Sequence, residues 1–147
     1  MKTTCYEDLE PGQIIEYGRY TAKKAEMMAF AREWDPRPFH IDEAFAKTTL
    51  YGSLTASGIF TLAVFSKIFN VGTGGLATHG ALGYENLKFP AAVKPDDVLT
   101  GRSEILAKRP SKSRPELGII RSRDSMTNQR GQTVLDLTVA YLIEIRG

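Results

Sequence analysis

Cysteine occurs once in the 147 residues, at Cys5. A lone thiol excludes an intramolecular disulfide and the clustered thiols of a structural zinc site, and it suits a reducing cytoplasm. Histidine is almost as scarce, with only His40 and His79. No group of residues has metal-ligand spacing, and no glycine-rich loop joins a strand to a helix in the phosphate-binding pattern. Neither a metal nor a nucleotide or redox cofactor is therefore expected. No apolar run reaches the ~20 residues that span a bilayer. The first eight residues lack the apolar core of a signal peptide. A net charge of +2, without a basic stripe interleaved with aromatics, gives no reason to expect nucleic acid as a partner. The length fits a single domain over residues 1–147, large enough to bury a core.

The sequence is rich in periodic segments. Gln13 to Tyr20 reads as a short strand. Thr21 is placed to cap a helix ending near Trp34, with Met27, Phe30, Ala31 and Trp34 on one apolar face. Ile41 to Lys47 reads as a helical turn with Phe45 pointing inward, and Thr48 to Thr55 as a loop. Ser57 to Asn70 predicts a helix that is apolar almost all round and hence buried all round. Its 14 residues would span only ~21 Å, too short for a membrane. A glycine-rich connection follows over 72–80. From Ala81 onward the period changes to two. Four strands are predicted, Ala81 to Phe89, Val98 to Ala107, Leu117 to Thr127 and Thr133 to Arg146, separated by proline, glycine and asparagine turns. In the last, Leu135, Leu137, Val139, Tyr141, Ile143 and Ile145 alternate with mostly polar neighbours. Helices followed by antiparallel strands make an α+β fold. The simplest packing wraps the sheet around the buried helix, the hot-dog arrangement. One sheet leaves the far side of that helix uncovered, so a homodimer is expected.

The stretch Asp35-Pro36-Arg37-Pro38-Phe39-His40 interrupts this regularity. Proline fixes φ, removes a donor and pushes the preceding residue out of the helical region. The stretch therefore reads as a stiffened loop, neither helix nor paired strand. A carboxylate and an imidazole on such a loop suit acid–base chemistry at neutral pH. The plainer reading is an aspartate capping a turn and a histidine packed beside Phe39. Spacing alone does not bring them together, because five extended residues would separate them by ~17 Å. Lying outside the apolar faces, both are expected to tolerate substitution without loss of the fold.

Asp35 and His40, then Asp42, Ala44 and Phe45, then Ala56-Ser57-Gly58 opening an apolar helix, resemble the MaoC-like (R)-specific enoyl-CoA hydratase and dehydratase family. Asn86-Leu87-Lys88-Phe89-Pro90, followed by Val93, Pro95 and Asp96-Asp97-Val98, extends the resemblance over nearly the whole chain. It implies reversible syn hydration of a trans-2-enoyl thioester, carried by coenzyme A or an acyl-carrier protein. It also implies catalytic roles for Asp35 and His40, an oxyanion-binding amide at Gly58, and a serine found in some members at Ser66. One departure is Arg37, where the family loop usually carries Asn and a large subgroup carries Gln. A guanidinium only donates and is always charged. Arg37 thus either faces a carboxylate or phosphate on the substrate or points to water.

Each remaining residue has a plainer role beside the functional one. Ser57 serves as an N-cap. Gly58 either lets a thioester carbonyl approach the unpartnered amides of the helix start, or lets two backbones pack. Ser66 shares a stripe with Gly58 and Leu62, so it either looks toward the site or bonds the i−4 carbonyl. The basic segment from Lys108 to Pro115 reads as a solvated hairpin tip, with a phosphate contact as the functional alternative. His79 reads as structural. Two other functions fit the fold: a non-catalytic acyl-binding subunit and an acyl-CoA thioesterase. The second usually places a carboxylate on the core helix, and Ser57 to Asn70 has none.

Overall fold

The protein, described here by a computed structural model, is defined over residues 3–72 and 75–147. A 3-10 turn at Tyr6–Asp8 precedes strand β1 (Ile14–Thr21). Helix α1 (Lys24–Trp34), two single-turn helices, α2 (Pro38–Ile41) and α3 (Glu43–Ala46), and the long α4 (Gly58–Gly72) follow. Four strands complete the chain: β2 (Thr78–Lys88), β3 (Val98–Pro110), β4 (Leu117–Thr127) and β5 (Thr133–Glu144). The strands form one antiparallel sheet in the order β1-β3-β4-β5-β2. Phe60, Val64, Phe65 and Ile68 of α4 pack against Leu99, Ile105, Ile120 and Leu137 of the sheet, the expected hot-dog arrangement. Each such buried side chain contributes roughly 2 kcal/mol relative to exposure.

The alternation in β5 is realised in part: Leu135, Leu137, Val139, Tyr141 and Ile143 are buried, but so are Val134 and Thr138, and Ile145 lies past the strand's end at Glu144 and is half-buried. On β4 the inward set is Ile120, Ser122, Asp124 and Met126. The close seating of α4 on β1 depends on Gly18. Its φ of +60 belongs to the left-handed region, and a Cβ there would lie 2.5 Å from that of Ile68. The ladder register shifts at the same point, between Tyr17 and Tyr20.

Local expectations failed in four places. Thr21 does not cap α1, because it is paired with Val98 at the end of β1; the helix begins at Lys24 after Lys23. Trp34 is 64% exposed, so the buried stripe of α1 stops at Ala31. Phe45 is exposed and Ala46 takes the inward position of α3. Finally, α4 is not buried all round in the single chain: Ile59 is 54% exposed, and Ala63, Ser66, Lys67 and Asn70 continue an open stripe. Part of the glycine-rich connection expected over 72–80 lies outside the described residues.

Candidate active site

Two prolines act differently in the Asp35–His40 stretch. Asp35 terminates α1, its N–H donating to the Ala31 carbonyl at 2.8 Å. Arg37, preceding Pro38, is extended (φ −72, ψ 140), as a pre-proline residue must be. Pro38 then occupies the first turn of α2, where its fixed φ fits and its missing N–H has no role. The stretch is therefore not all loop: Pro38–Ile41 is a helical turn. That turn swings His40 inward, to 6% exposure. His40 and Asp35 converge, with Nε2 3.5 Å from Oδ2. His40 is thus part of the packed interior, contrary to the expectation that it lies outside the apolar faces.

His40 Nδ1 lies 2.7 Å from the Thr55 carbonyl oxygen. A carbonyl only accepts, so Nδ1 carries the proton and Nε2 is the nitrogen left to exchange one. The Phe39 ring packs at 4.3 Å between centroids and holds the imidazole plane. Asp35 is fixed from two sides and faces the imidazole on a third. Ser57 Oγ donates to Oδ2 at 2.7 Å, Arg37 Nε lies 3.2 Å from Oδ1, and His40 faces Oδ2. The Ser57 hydroxyl also accepts from the Ile59 N–H at 3.2 Å. The serine is an N-cap, as its type suggests, and it ties the start of α4 to the carboxylate. Its burial is complete.

Gly58 is the first residue of α4, so its N–H has no acceptor within the helix. A Cβ on Gly58 would lie 3.0 Å from the Phe89 ring, so the missing side chain also admits that ring. Arg37, His40, Thr55, Gly58, Thr61 and Phe89 line one cavity of about 280 Å³. Arg37, 69% exposed at its side chain, sits at the rim. A larger surface depression of about 630 Å³ over Glu16, Gly18, Gly101 and Arg102 contains neither Asp35 nor His40.

The structure thus brings together Asp35, His40, Arg37, Ser57 and Gly58. It does not bring Ser66 to them: that residue lines a separate cavity with Phe65, Phe69 and Asp124. His79 is exposed on β2, with Nε2 3.6 Å from a Glu144 carboxylate oxygen. The Lys108–Pro115 segment is a hairpin tip only in part, because Lys108, Arg109 and Pro110 are paired with β4 as the end of β3; it does not line the His40 cavity, and Lys108 is engaged by Glu10 at 3.0 Å. Among the described residues no group of three or more His, Cys, Asp or Glu could hold a metal ion. No helix in the described residues is long and apolar enough to cross a membrane. Thr55 and Thr61 were not singled out from the sequence. Thr55 acts through its backbone carbonyl, for which side-chain identity carries no signal.

Comparison with known proteins finds that the sequence model for the MaoC like domain matches residues 8–123. The uncharacterized protein YdeM of Bacillus subtilis is 32% identical over 134 residues, 90% of this chain and 94% of that protein. A 3-hydroxybutyryl-CoA dehydratase of Methylorubrum extorquens is 27% identical over 119 residues, 80% of this chain and 73% of its own length. The crystal structure of the MaoC-like dehydratase from Rhodospirillum rubrum superposes with a TM-score of 0.89 at 35% identity, covering 98% of this chain and 99% of that one.

Proposed function

The chain belongs to the MaoC-like domain family, and from that premise we propose that it catalyses the reversible hydration of a trans-2-enoyl thioester to a 3-hydroxyacyl thioester. The observation that carries this reading is the convergence of Asp35 on His40 and Ser57, beside a cavity lined by His40 and by Gly58 at the start of α4. A water held between Asp35 Oδ2 and His40 Nε2 is oriented by the carboxylate. Nε2 takes one of its protons while the oxygen bonds to C3 and the C2=C3 π pair moves toward the thioester carbonyl. The Gly58 N–H, at the positive end of the helix, stabilises the resulting enolate oxygen. The enolate collapses as C2 takes the proton from Nε2, so H and OH arrive from the same side. Thr55 keeps the imidazole in the tautomer this cycle needs.

Purified protein assayed alone against a panel of enoyl-CoA and 3-hydroxyacyl-CoA thioesters tests the proposal. Turnover of at least one enoyl-CoA, unaffected by a chelator, is the expected result. Release of free thiol without hydration would favour the thioesterase reading, and binding without turnover the acyl-binding one. The same panel carried on acyl-carrier protein decides the physiological carrier.

The reading includes a homodimer. Ile59 on α4 and Leu82, Tyr84 and Leu87 on the edge strand β2, with Phe89 just beyond it, expose apolar surface along one side of the chain. An uncovered edge strand flanked by apolar side chains favours pairing with a second copy. A monomer by light scattering at micromolar concentration would remove the homodimer from the proposal.

A further inference from the structure

Among the described residues that line the His40 cavity, Arg37 is the only one with a permanent charge. Its backbone is tied to both Asp35 and His40. The Arg37 N–H donates to the Asp35 carbonyl at 2.8 Å, and the Arg37 carbonyl accepts from the His40 N–H at 2.9 Å. Pro36 and Pro38 stand on either side and restrict the neighbouring φ angles. A long charged side chain thus grows from a backbone locked to the candidate catalytic groups. Its guanidinium is a planar fork with five N–H donors. At one edge Nε lies 3.2 Å from Asp35 Oδ1. The other edge carries the two terminal nitrogens. Among the described residues no carboxylate but that of Asp35 lies within ion-pair distance of Arg37, and most of its side chain is open to water.

The surroundings of the mouth have the same sign. A neighbouring depression of about 280 Å³ shares Tyr51, Ala91 and Ala92 with the His40 cavity and adds Lys94 and Arg130. Arg130 is partly engaged, 3.4 Å from an oxygen of the buried Asp97. Among the described residues neither lining includes an Asp or Glu, so the pair of openings attracts an anion. A thioester substrate offers two: a phosphate of its carrier, or a carboxylate on the acyl group. Position separates them. Arg37 meets one oxygen of Asp35, and the other oxygen lies 3.5 Å from His40 Nε2, so the guanidinium adjoins the place of the attacking water. The nearest carrier phosphate stands about a dozen bonds from the thioester sulfur, on the order of 15 Å when extended. Its arm would have to fold back along its whole length to meet Arg37. A carboxylate on C3, or one carbon further, is already there.

We propose that Arg37 determines the specificity of this site, and that the acyl group it selects is a dicarboxylic one, an enoyl thioester with a free carboxylate on C3 or on the next carbon. The inference rests on the thioester-hydratase reading above and names its substrate class. A second carboxylate beside Asp35 would by itself be repelled. The guanidinium between them removes the repulsion, with Nε toward Asp35 and the terminal nitrogens making two parallel hydrogen bonds to the substrate. In the free protein water screens these charges. A bound acyl group displaces that water, and the attraction strengthens as the local dielectric falls. A plain hydrocarbon tail in the same place would strip water from the guanidinium and supply no acceptor, so the residue selects against it as well.

The test compares pairs of trans-2-enoyl-CoA substrates in which a terminal methyl is replaced by a carboxylate: crotonyl-CoA with fumaryl-CoA, and 2-pentenoyl-CoA with glutaconyl-CoA. In at least one pair the carboxylate member should lead in kcat/KM by about tenfold or more, the range of a hydrogen bond between charged groups. Arg37→Gln should remove that lead, mainly by raising KM for the carboxylate member. Arg37→Lys, which keeps the charge and loses the fork, should retain part of it. Equal use of both members by the wild-type protein, a lead of the methyl member in both pairs, or an unchanged ratio in Arg37→Gln overturns the inference and leaves the hydratase reading standing. An equal loss on both members of each pair would assign Arg37 to the carrier and overturn it too. Absence of turnover with every enoyl-CoA overturns the hydratase reading, and binding then decides the inference. Succinyl-CoA should bind the wild-type protein about tenfold more tightly than butyryl-CoA and lose that advantage in Arg37→Gln; equal affinities in the wild-type protein would end it.

Discussion

Two cavities lie along α4, and their polar groups are finished differently. At the N-terminal end, Asp35 is held by Ser57 and Arg37 and faces His40, which is held by Thr55. Under the C-terminal half, Asp124 is fully buried among the hydroxyls of Ser103, Ser122, Tyr17 and Tyr141. The first arrangement has its geometry set before a substrate arrives, which is how fixed dipoles accelerate a reaction. The second buries a carboxyl whose ionisation its surroundings oppose. Substitutions at the two ends should therefore fail in different ways.

The largest effects belong to the first end. His40→Ala and Asp35→Asn should each lower kcat by at least ~10²-fold, the lower range for positioned acid–base groups. Both act on one water, so the double variant should be little slower than the slower single variant. His40→Ala should also lower stability by about 1–3 kcal/mol, because it leaves the buried Thr55 carbonyl without its donor. Kinetics normalised to folded protein, with circular dichroism melts, separate the two losses. Near-full activity in His40→Ala would remove the catalytic assignment.

The second end should show itself in the pH dependence of stability. Burial raises the Asp124 carboxyl to about 6, and hydrogen bonding from the Ser103 and Ser122 hydroxyls pulls it only part of the way back. The titratable groups facing it are Tyr17 and Tyr141, both pushed above the ordinary phenol range, first by burial and then by Asp124. The folded state therefore holds a proton that the unfolded state has released between about pH 4 and 6. Stability from this group is complete below the unfolded value and lost as pH rises through about 6. The loss is on the order of 2–3 kcal/mol. Asp124→Asn should abolish that component. In urea unfolding, the variant's stability relative to wild type should rise from pH 5 to 7 and level off above. A pH-independent difference would mean that burial does not raise the Asp124 carboxyl.

Why one end was legible in the sequence and the other was not follows from the residues. Asp35 and His40 stand in a proline-marked stretch and carry the family spacing, so they are singled out before any fold is known. Their convergence did not show, because Pro38 was read only as a helix breaker; at the first helical position it starts a turn. The alternation of β5 set its buried face correctly because all its inward residues are apolar. Asp124 was missed on β4 for the complementary reason. Its parity is that of Ile120 and Met126, both fully buried, yet polar residues on every side hide the period. The open stripe of α4 could not be read from hydrophobicity, because Ile59 and Ala63 resemble core residues whether or not another surface covers them.

A smaller effect probes the joint between catalytic carboxylate and helix. Ser57→Ala removes one hydroxyl that both accepts from the Ile59 N–H and donates to Asp35. Loss of an N-cap costs about 1 kcal/mol of stability. Loss of the hydrogen bond to Asp35 should lower kcat by about tenfold, equivalent to ~1.4 kcal/mol and well short of the loss in His40→Ala. A drop in Tm with unchanged kcat would make Ser57 a cap and nothing more.

The smallest effect is expected at Arg37. Its guanidinium reaches Asp35 Oδ1 at 3.2 Å, but the side chain is largely in water. Exposed ion pairs contribute only ~0–1 kcal/mol, because solvent screens them and a long side chain must be held still. Asp35 keeps its hydrogen bond from Ser57 when Arg37 is replaced, so Arg37→Gln should change kcat on the best substrate by less than about fivefold and leave Tm within a degree or two of wild type. The change should appear in choice of substrate instead. Arg37 lines the mouth of the His40 cavity and presents a fixed positive charge there; glutamine presents a neutral amide that can donate or accept. Ratios of kcat/KM across thioesters differing in charge near the head group should therefore shift toward uncharged members in Arg37→Gln. A fall in kcat as large as that of Asp35→Asn, with the ratios unchanged, would instead make Arg37 a positioning residue for the carboxylate, and the first cavity would depend on its rim as much as on its floor.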